Sequence, residues 1–147
     1  MKTMVDRDIK LSKNFTLREM TYSSTARRLK IDNTPNAQEF ENLKKLCQTV
    51  LQPIRDKRGG AIVVTSGFRC AQLNKAVGGV PTSEHQKGMA ADITLGNPRL
   101  NKNLFNLIVK MIQSKEIQVG QLIDEYNYRW IHISIPGNRF NQILHIR

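Results

Sequence analysis

Between Asn36 and Arg55 the apolar residues Phe40, Leu43, Leu46, Cys47, Val50, Leu51 and Ile54 recur at spacings of three and four. This pattern predicts one long helix with a continuous apolar face. Thr34-Pro35-Asn36 is its start signal, Gly59-Gly60 closes the segment, and Pro53 is expected to kink the last turn. A second long helix opens at Asn97-Pro98, with Leu104, Leu107, Ile108, Met111 and Ile112 on its apolar face. Ala71 to Val77 reads as a short helix closed by Gly78-Gly79. Nearer the N-terminus, Asn14 to Ala26 mixes turn formers with a few apolar residues. One short helix is expected there, beginning near Thr16 with Glu19 completing a capping box.

Elsewhere the period changes to two. Ala61 to Phe68 is a β-branched run that stops at Ser66-Gly67. In Ala90–Leu95, Ala91, Ile93 and Leu95 point one way while Asp92 and Thr94 point the other. In Trp130–Ile135, Ile131, Ile133 and Ile135 form one face and Trp130, His132 and Ser134 the other. Such alternation marks a sheet with one face on a core and one open. The expected fold is α+β: helices packed on one face of a small, mainly antiparallel sheet whose free face floors a cleft. With no internal repeat and no low-complexity linker, residues 1–147 read as a single domain.

Composition narrows the classes. No stretch approaches the roughly 20 apolar residues that span a bilayer, so no transmembrane segment is expected. The N-terminal MKTMVDRDIKLSKNF lacks the apolar run of about 7–15 residues of a signal peptide, which predicts a chain cytoplasmic at synthesis. Cys47 and Cys70 have no metal-type spacing and read as reduced, structural thiols. Lys and Arg total 23 against 12 acidic residues, a net charge of +11, which favours a polyanionic partner such as nucleic acid, an anionic membrane surface or cell wall. The basic residues are scattered and no aromatics interleave with them to stack on bases, so no nucleic-acid partner is expected.

The polar face of the sheet carries the candidate chemistry. Asp92 and His132 both project from it, and His85 lies seven residues before Asp92, beyond a turn signalled by Gly88. Two imidazoles and a carboxylate form a legitimate ligand set for catalytic zinc, with the fourth position open. Spacing alone does not establish a metal site. The remaining histidine, His145, is read as structural or surface.

The run Ser83-Glu84-His85-Gln86-Lys87-Gly88-Met89-Ala90-Ala91-Asp92 resembles the S-x-H-x-x-G-x-A-x-D motif of a zinc peptidase superfamily. Its members include D-alanyl-D-alanine carboxypeptidases and dipeptidases and phage L-alanyl-D-glutamate endopeptidases, and the hedgehog signalling domain shares their fold. Ser66-Gly67-Phe68-Arg69 resembles the family's S-G-[YF]-R element, continued by Leu73-Asn74 and Val77-Gly78-Gly79. Trp130-Ile131-His132 resembles the W-x-H that supplies the last ligand. The resemblance implies zinc held by His85, Asp92 and His132. It also implies a role for Arg69 over the cleft, binding a substrate carboxylate or the developing oxyanion, a task suited to a planar, permanently charged fork. Ser83 would hydrogen-bond substrate or order the turn before His85. Trp130 would line the pocket or pack beside the ligand.

The chain departs from one pattern of these relatives. Some place a catalytic Glu three residues before the last histidine; here Arg129 stands there and cannot accept a proton. Others place the carboxylate one strand earlier, where Asp124 and Glu125 are available. If the hairpin Leu122–Ile135 turns through two residues, Asn127-Tyr128, or through four, then Glu125 opposes Trp130 and shares the face of His132. A three-residue loop would select Asp124 instead. Glu125 is the expected base. The implied activity is a zinc peptidase acting on peptidoglycan stem peptides after release or export, as an L-Ala-D-Glu endopeptidase or a D-Ala-D-Ala carboxypeptidase of the endolysin kind. The alternative is a non-catalytic, zinc-stabilised cell-wall or protein-binding module of the same fold.

Overall fold

The computed structural model describes residues 6–147; the first five residues of the N-terminal segment considered above lie outside the described ones. A small two-stranded unit comes first, β1 (Lys10–Ser12) and β2 (Phe15–Thr16). It leads into α1 (Leu17–Thr21), closed at its start by the expected capping box between Thr16 and Glu19. A second short helix, α2 (Ser24–Leu29), follows where only one was expected. Ser23 caps it by accepting from the Ala26 N–H.

The first long helical path begins at Asn36, whose side chain accepts from the Glu39 N–H while the Glu39 carboxylate accepts from the Asn36 N–H. It runs through α3 (Ala37–Leu46), a π-helical stretch (Cys47–Leu51) and α4 (Gln52–Arg58), and ends on Gly59 at φ 76°. The irregularity expected at Pro53 takes the form of a widened turn just before it, in which the Gln52 N–H reaches the Cys47 carbonyl. Proline lacks an N–H and its ring crowds the carbonyl four residues back, so a wider preceding turn accommodates it. The helix continues to Arg58, beyond the expected end at Arg55.

The main sheet is built from β3 (Val63–Ser66), β4 (Ala90–Thr94), β5 (Gln121–Glu125), β6 (Trp130–Ser134) and β7 (Gln142–Ile146), in the order β3-β4-β6-β5-β7. All neighbours are antiparallel except β5 and β7, which run parallel. The fold is α+β, with a sheet that is mainly antiparallel and carries one parallel edge strand.

One sheet face presents Ala91, Ile93, Leu122, Ile131 and Ile133, all fully buried. Against it pack Leu43, Leu46, Val50, Leu51 and Ile54 from the first helical path. Leu104, Phe105, Ile108 and Met111 join them from α6 (Pro98–Gln113), which Asn97 caps by accepting from the Leu100 N–H. Burial of each large side chain stabilises the fold by about 1.5–3 kcal/mol. Asn101 is the polar exception on α6. Fully buried, it accepts from the Leu95 N–H at 2.7 Å and donates to the carbonyls of Tyr128 and Arg129, tying the end of β4 and the β5–β6 loop to the helix.

The helix α5 (Ala71–Ala76) is capped by Cys70, whose Sγ accepts from the Leu73 N–H. Both cysteines are free thiols, and burial among apolar groups, aided by Glu19, pushes the Cys47 thiol far up from its usual range. Among the described residues no helix is long and apolar enough to cross a membrane.

Candidate functional site

The open face of the sheet brings Asp92 and His132 together by register, since the two are direct partners across β4 and β6. Opposed residues in an antiparallel pair share a face. The His132 Nδ1 lies 3.1 Å from Asp92 Oδ1. His85 arrives from a different element, a 3-10 turn over Glu84–Lys87. Ser83 opens that turn by accepting from the His85 N–H at 3.2 Å, and Gly88 closes it at φ 73°, a backbone region that favours glycine. The turn delivers His85 Nε2 to 3.3 Å from the same Asp92 oxygen, with the two imidazole rings edge to face at 5.2 Å.

One donor atom from each of the three residues lies within 4.8 Å of the others. The His85 tautomer is set by the loop after β3. Its Nδ1 lies 2.7 Å from the Gly67 carbonyl, so Nδ1 carries the proton and Nε2 presents its lone pair to the cluster. The backbone reinforces this, because the Arg69 N–H donates to the His85 carbonyl at 3.0 Å. Burial works to raise the pKa of the Asp92 carboxyl, but the facing imidazoles of His85 and His132 outweigh it and hold the group well below the usual carboxylate range. His85 is 2% exposed and fixed in tautomer, and the donor set of two nitrogens and one carboxylate oxygen fits zinc better than it fits magnesium or calcium, which prefer all-oxygen shells.

These residues sit in a cleft of about 550 Å³ that is also lined by Arg69, Ser83, Glu125 and Trp130. Every site residue singled out in the sequence is brought there. The loop between β5 and β6 has four residues, Tyr126 to Arg129, three of them at positive φ. Glu125 pairs with Trp130, Ile123 with His132 and Asp124 with Ile131. Glu125 thus stands on the face of His132, where its carboxylate accepts from the Trp130 indole N–H. Asp124 turns to the core face, fully buried, and accepts from His145 Nδ1 on β7, with Arg147 Nη1 at 3.5 Å. His145 is therefore a structural partner and does not reach the cleft.

Arg69 donates from Nη2 to the Ser83 hydroxyl at 3.4 Å, and its buried Nε has no acceptor among the described residues. Burial lowers the pKa of its guanidinium while the Asp92 and Glu125 carboxylates raise it; the group remains a cation. Gln121, Tyr126 and Arg139, to which no motif points, also line the cleft. Gln121 lies on a strand whose burial hides its alternation, and Arg139 lies in a segment without periodic signal.

A family model described as Peptidase M15 matches residues 13–134 of the chain. No curated protein matches it.

Proposed function

The chain belongs to the Peptidase M15 family, and on that premise we propose that it is a zinc peptidase that hydrolyses a peptide bond in peptidoglycan stem peptides. His85, Asp92 and His132 would hold the metal. The observation that carries the reading is the convergence of their donor atoms on the floor of a cleft that also holds a carboxylate, Glu125, and a guanidinium, Arg69. Zinc there would supply a Lewis acid that polarises the scissile carbonyl and lowers the pKa of water toward about 7.

The protein's own groups supply the rest. One Glu125 oxygen is anchored by the Trp130 N–H, which leaves the other to take a proton from the attacking water and pass it to the leaving amine. Arg69 has donors to spare for a substrate carboxylate or for charge developing on the carbonyl oxygen. Ser83 accepts from both the His85 N–H and Arg69, so its own hydroxyl proton stays available to substrate. Both roles expected for Ser83 are compatible.

Digestion of purified peptidoglycan, followed by mass spectrometry of the released fragments, tests the proposal. New peptide termini that disappear with a chelator and return with zinc are expected. An unchanged wall digest from zinc-loaded protein would overturn it in favour of a zinc-stabilised binding module.

A further inference from the structure

Three consecutive residues of the β5–β6 loop, Tyr126, Asn127 and Tyr128, stand at φ 52°, 56° and 66°. This left-handed region is costly for every residue but glycine, is eased for asparagine, and is rarely held over a run. Such strain persists only where the surroundings over-determine it. Here they do. The Tyr126 N–H donates to the Ile146 carbonyl at 2.7 Å and the Arg129 N–H to the Glu125 carbonyl at 3.0 Å. The buried Asn101 side chain holds the carbonyls of Tyr128 and Arg129 from the other side.

Two of the three side chains have an evident place in this turn. The Tyr128 ring meets Phe105 edge to face at 5.6 Å. Asn127, of a residue type that tolerates the region, accepts from Arg147 Nη1 at 3.3 Å. Tyr126 is different. Its side chain lines the cleft and the residue is 54% exposed, while its ring lies 5.1 Å from the Trp130 ring, whose N–H is taken by Glu125. Glycine would hold the same backbone without strain, so what tyrosine adds at this position is its side chain.

We infer that Tyr126 is a substrate-contact residue, its ring forming with the Trp130 indole an aromatic wall of the cleft against which an apolar group of the bound substrate packs. The inference rests on the peptidase reading above for the identity of that substrate. An aromatic ring offers a large contact area with few rotatable bonds to immobilise, so a half-exposed ring held by a fixed backbone is well suited to the task. The strained turn is what carries the ring to the cleft beside the carboxylate of Glu125.

Glycine substitutions separate the ring from the turn. Tyr126→Gly and Asn127→Gly both relieve strain, but only the first removes the ring, and melting temperature with zinc content checks that both fold. Co-sedimentation with purified peptidoglycan, on zinc-loaded Glu125→Gln protein, reads affinity without turnover. Tyr126→Gly should weaken binding by about tenfold, Asn127→Gly should bind as the unsubstituted turn does, and Tyr126→Phe should recover affinity to within about threefold. With Glu125 intact, Tyr126→Gly should raise KM on soluble wall fragments by a similar factor with kcat near the parent's. Equal affinity in the two glycine proteins, equal loss in both, or a phenylalanine variant as weak as the glycine one would overturn the inference. So would a fall in kcat at unchanged KM, which would mean that Tyr126 acts through Trp130 on Glu125. A parent that binds the wall but cuts nothing would remove the peptidase reading and leave the comparison of affinities to decide the role of the ring; a protein that does not bind the wall at all would overturn both.

Discussion

Glu125 and Trp130 face each other directly across the β5–β6 pair, and the indole N–H of Trp130 donates to the Glu125 carboxylate. The contact fixes one carboxylate oxygen while the register keeps the side chain on the face of His132. Glu125→Gln preserves size and an acceptor for the indole but cannot take up a proton. Its turnover should fall by about 10²–10⁴, with zinc content and melting temperature near those of the parent. Steady-state rates on wall fragments, set beside metal analysis and a thermal melt, check this. Undiminished turnover would place the proton acceptor elsewhere.

Asp124, one residue earlier, should behave in the opposite way. It is fully buried on the core face and holds His145 of β7 and Arg147 just after that strand. Asp124→Ala removes that anchor without touching the cleft, and loss of a buried hydrogen-bonded acceptor costs about 1–3 kcal/mol. A lower melting temperature with near-parental kcat is expected. A large loss of kcat in a protein that melts normally would contradict the side-chain placement.

The metal should titrate with the imidazoles. Both imidazoles must be neutral to bind, so protons compete with zinc and the metal affinity should fall as the medium is acidified. One zinc per chain is expected after dialysis against a weak chelator. His132→Ala should lower both zinc content and thermal stability, because metal binding contributes free energy to folding. Full metal retention at pH 4 would argue against imidazole ligands.

Much of the site was legible because period-two alternation leaves little freedom. Once Ile131 and Ile133 are assigned to a core, His132 must face the other way, and the same holds for Asp92 between Ala91 and Ile93. The hairpin arithmetic depended only on whether the loop length was even, so it tolerated ignorance of the turn itself. Other features depend on tertiary partners that no local pattern declares. The parallel strand β7 pairs with β5 over a distance in sequence, and Ile143, Leu144 and Ile146 do not alternate in a way that names a partner. Ser134 shares the face of His132 as its period-two position requires, but it is fully buried and its hydroxyl accepts from the Gln121 N–H, a partner no local pattern declares. Asn101 is likewise a polar residue on the apolar face of α6, explained only by the strand and loop ends it satisfies. The π-helical turn before Pro53 shows the same limit. A proline signals an irregularity, but the packing of Cys47, Val50 and Leu51 in the core fixes its form.

Gly67 offers the sharpest test of how the loop after β3 orients His85. A Cβ at this position would stand 2.3 Å from the Met20 carbonyl oxygen, closer than any real side chain approaches backbone. The Met20 oxygen cannot simply yield, because it accepts from the Phe68 N–H at 2.7 Å. Gly67→Ala must therefore push the loop away from α1, and the Gly67 carbonyl that holds His85 Nδ1 moves with it. A displaced carbonyl loses its hold on the imidazole tautomer and ring orientation. Partners of this kind typically contribute 10–100-fold in metal affinity, so zinc binding should weaken by about that factor. Competition with a fluorescent chelator measures it, and the melting temperature of the metal-free protein separates general destabilisation from loss of ligand orientation. A variant that melts lower without metal but binds zinc as tightly as the parent would show that Gly67 serves packing alone. Weakened zinc binding beyond the change in apo stability would identify the Gly67 carbonyl as the group that aims His85.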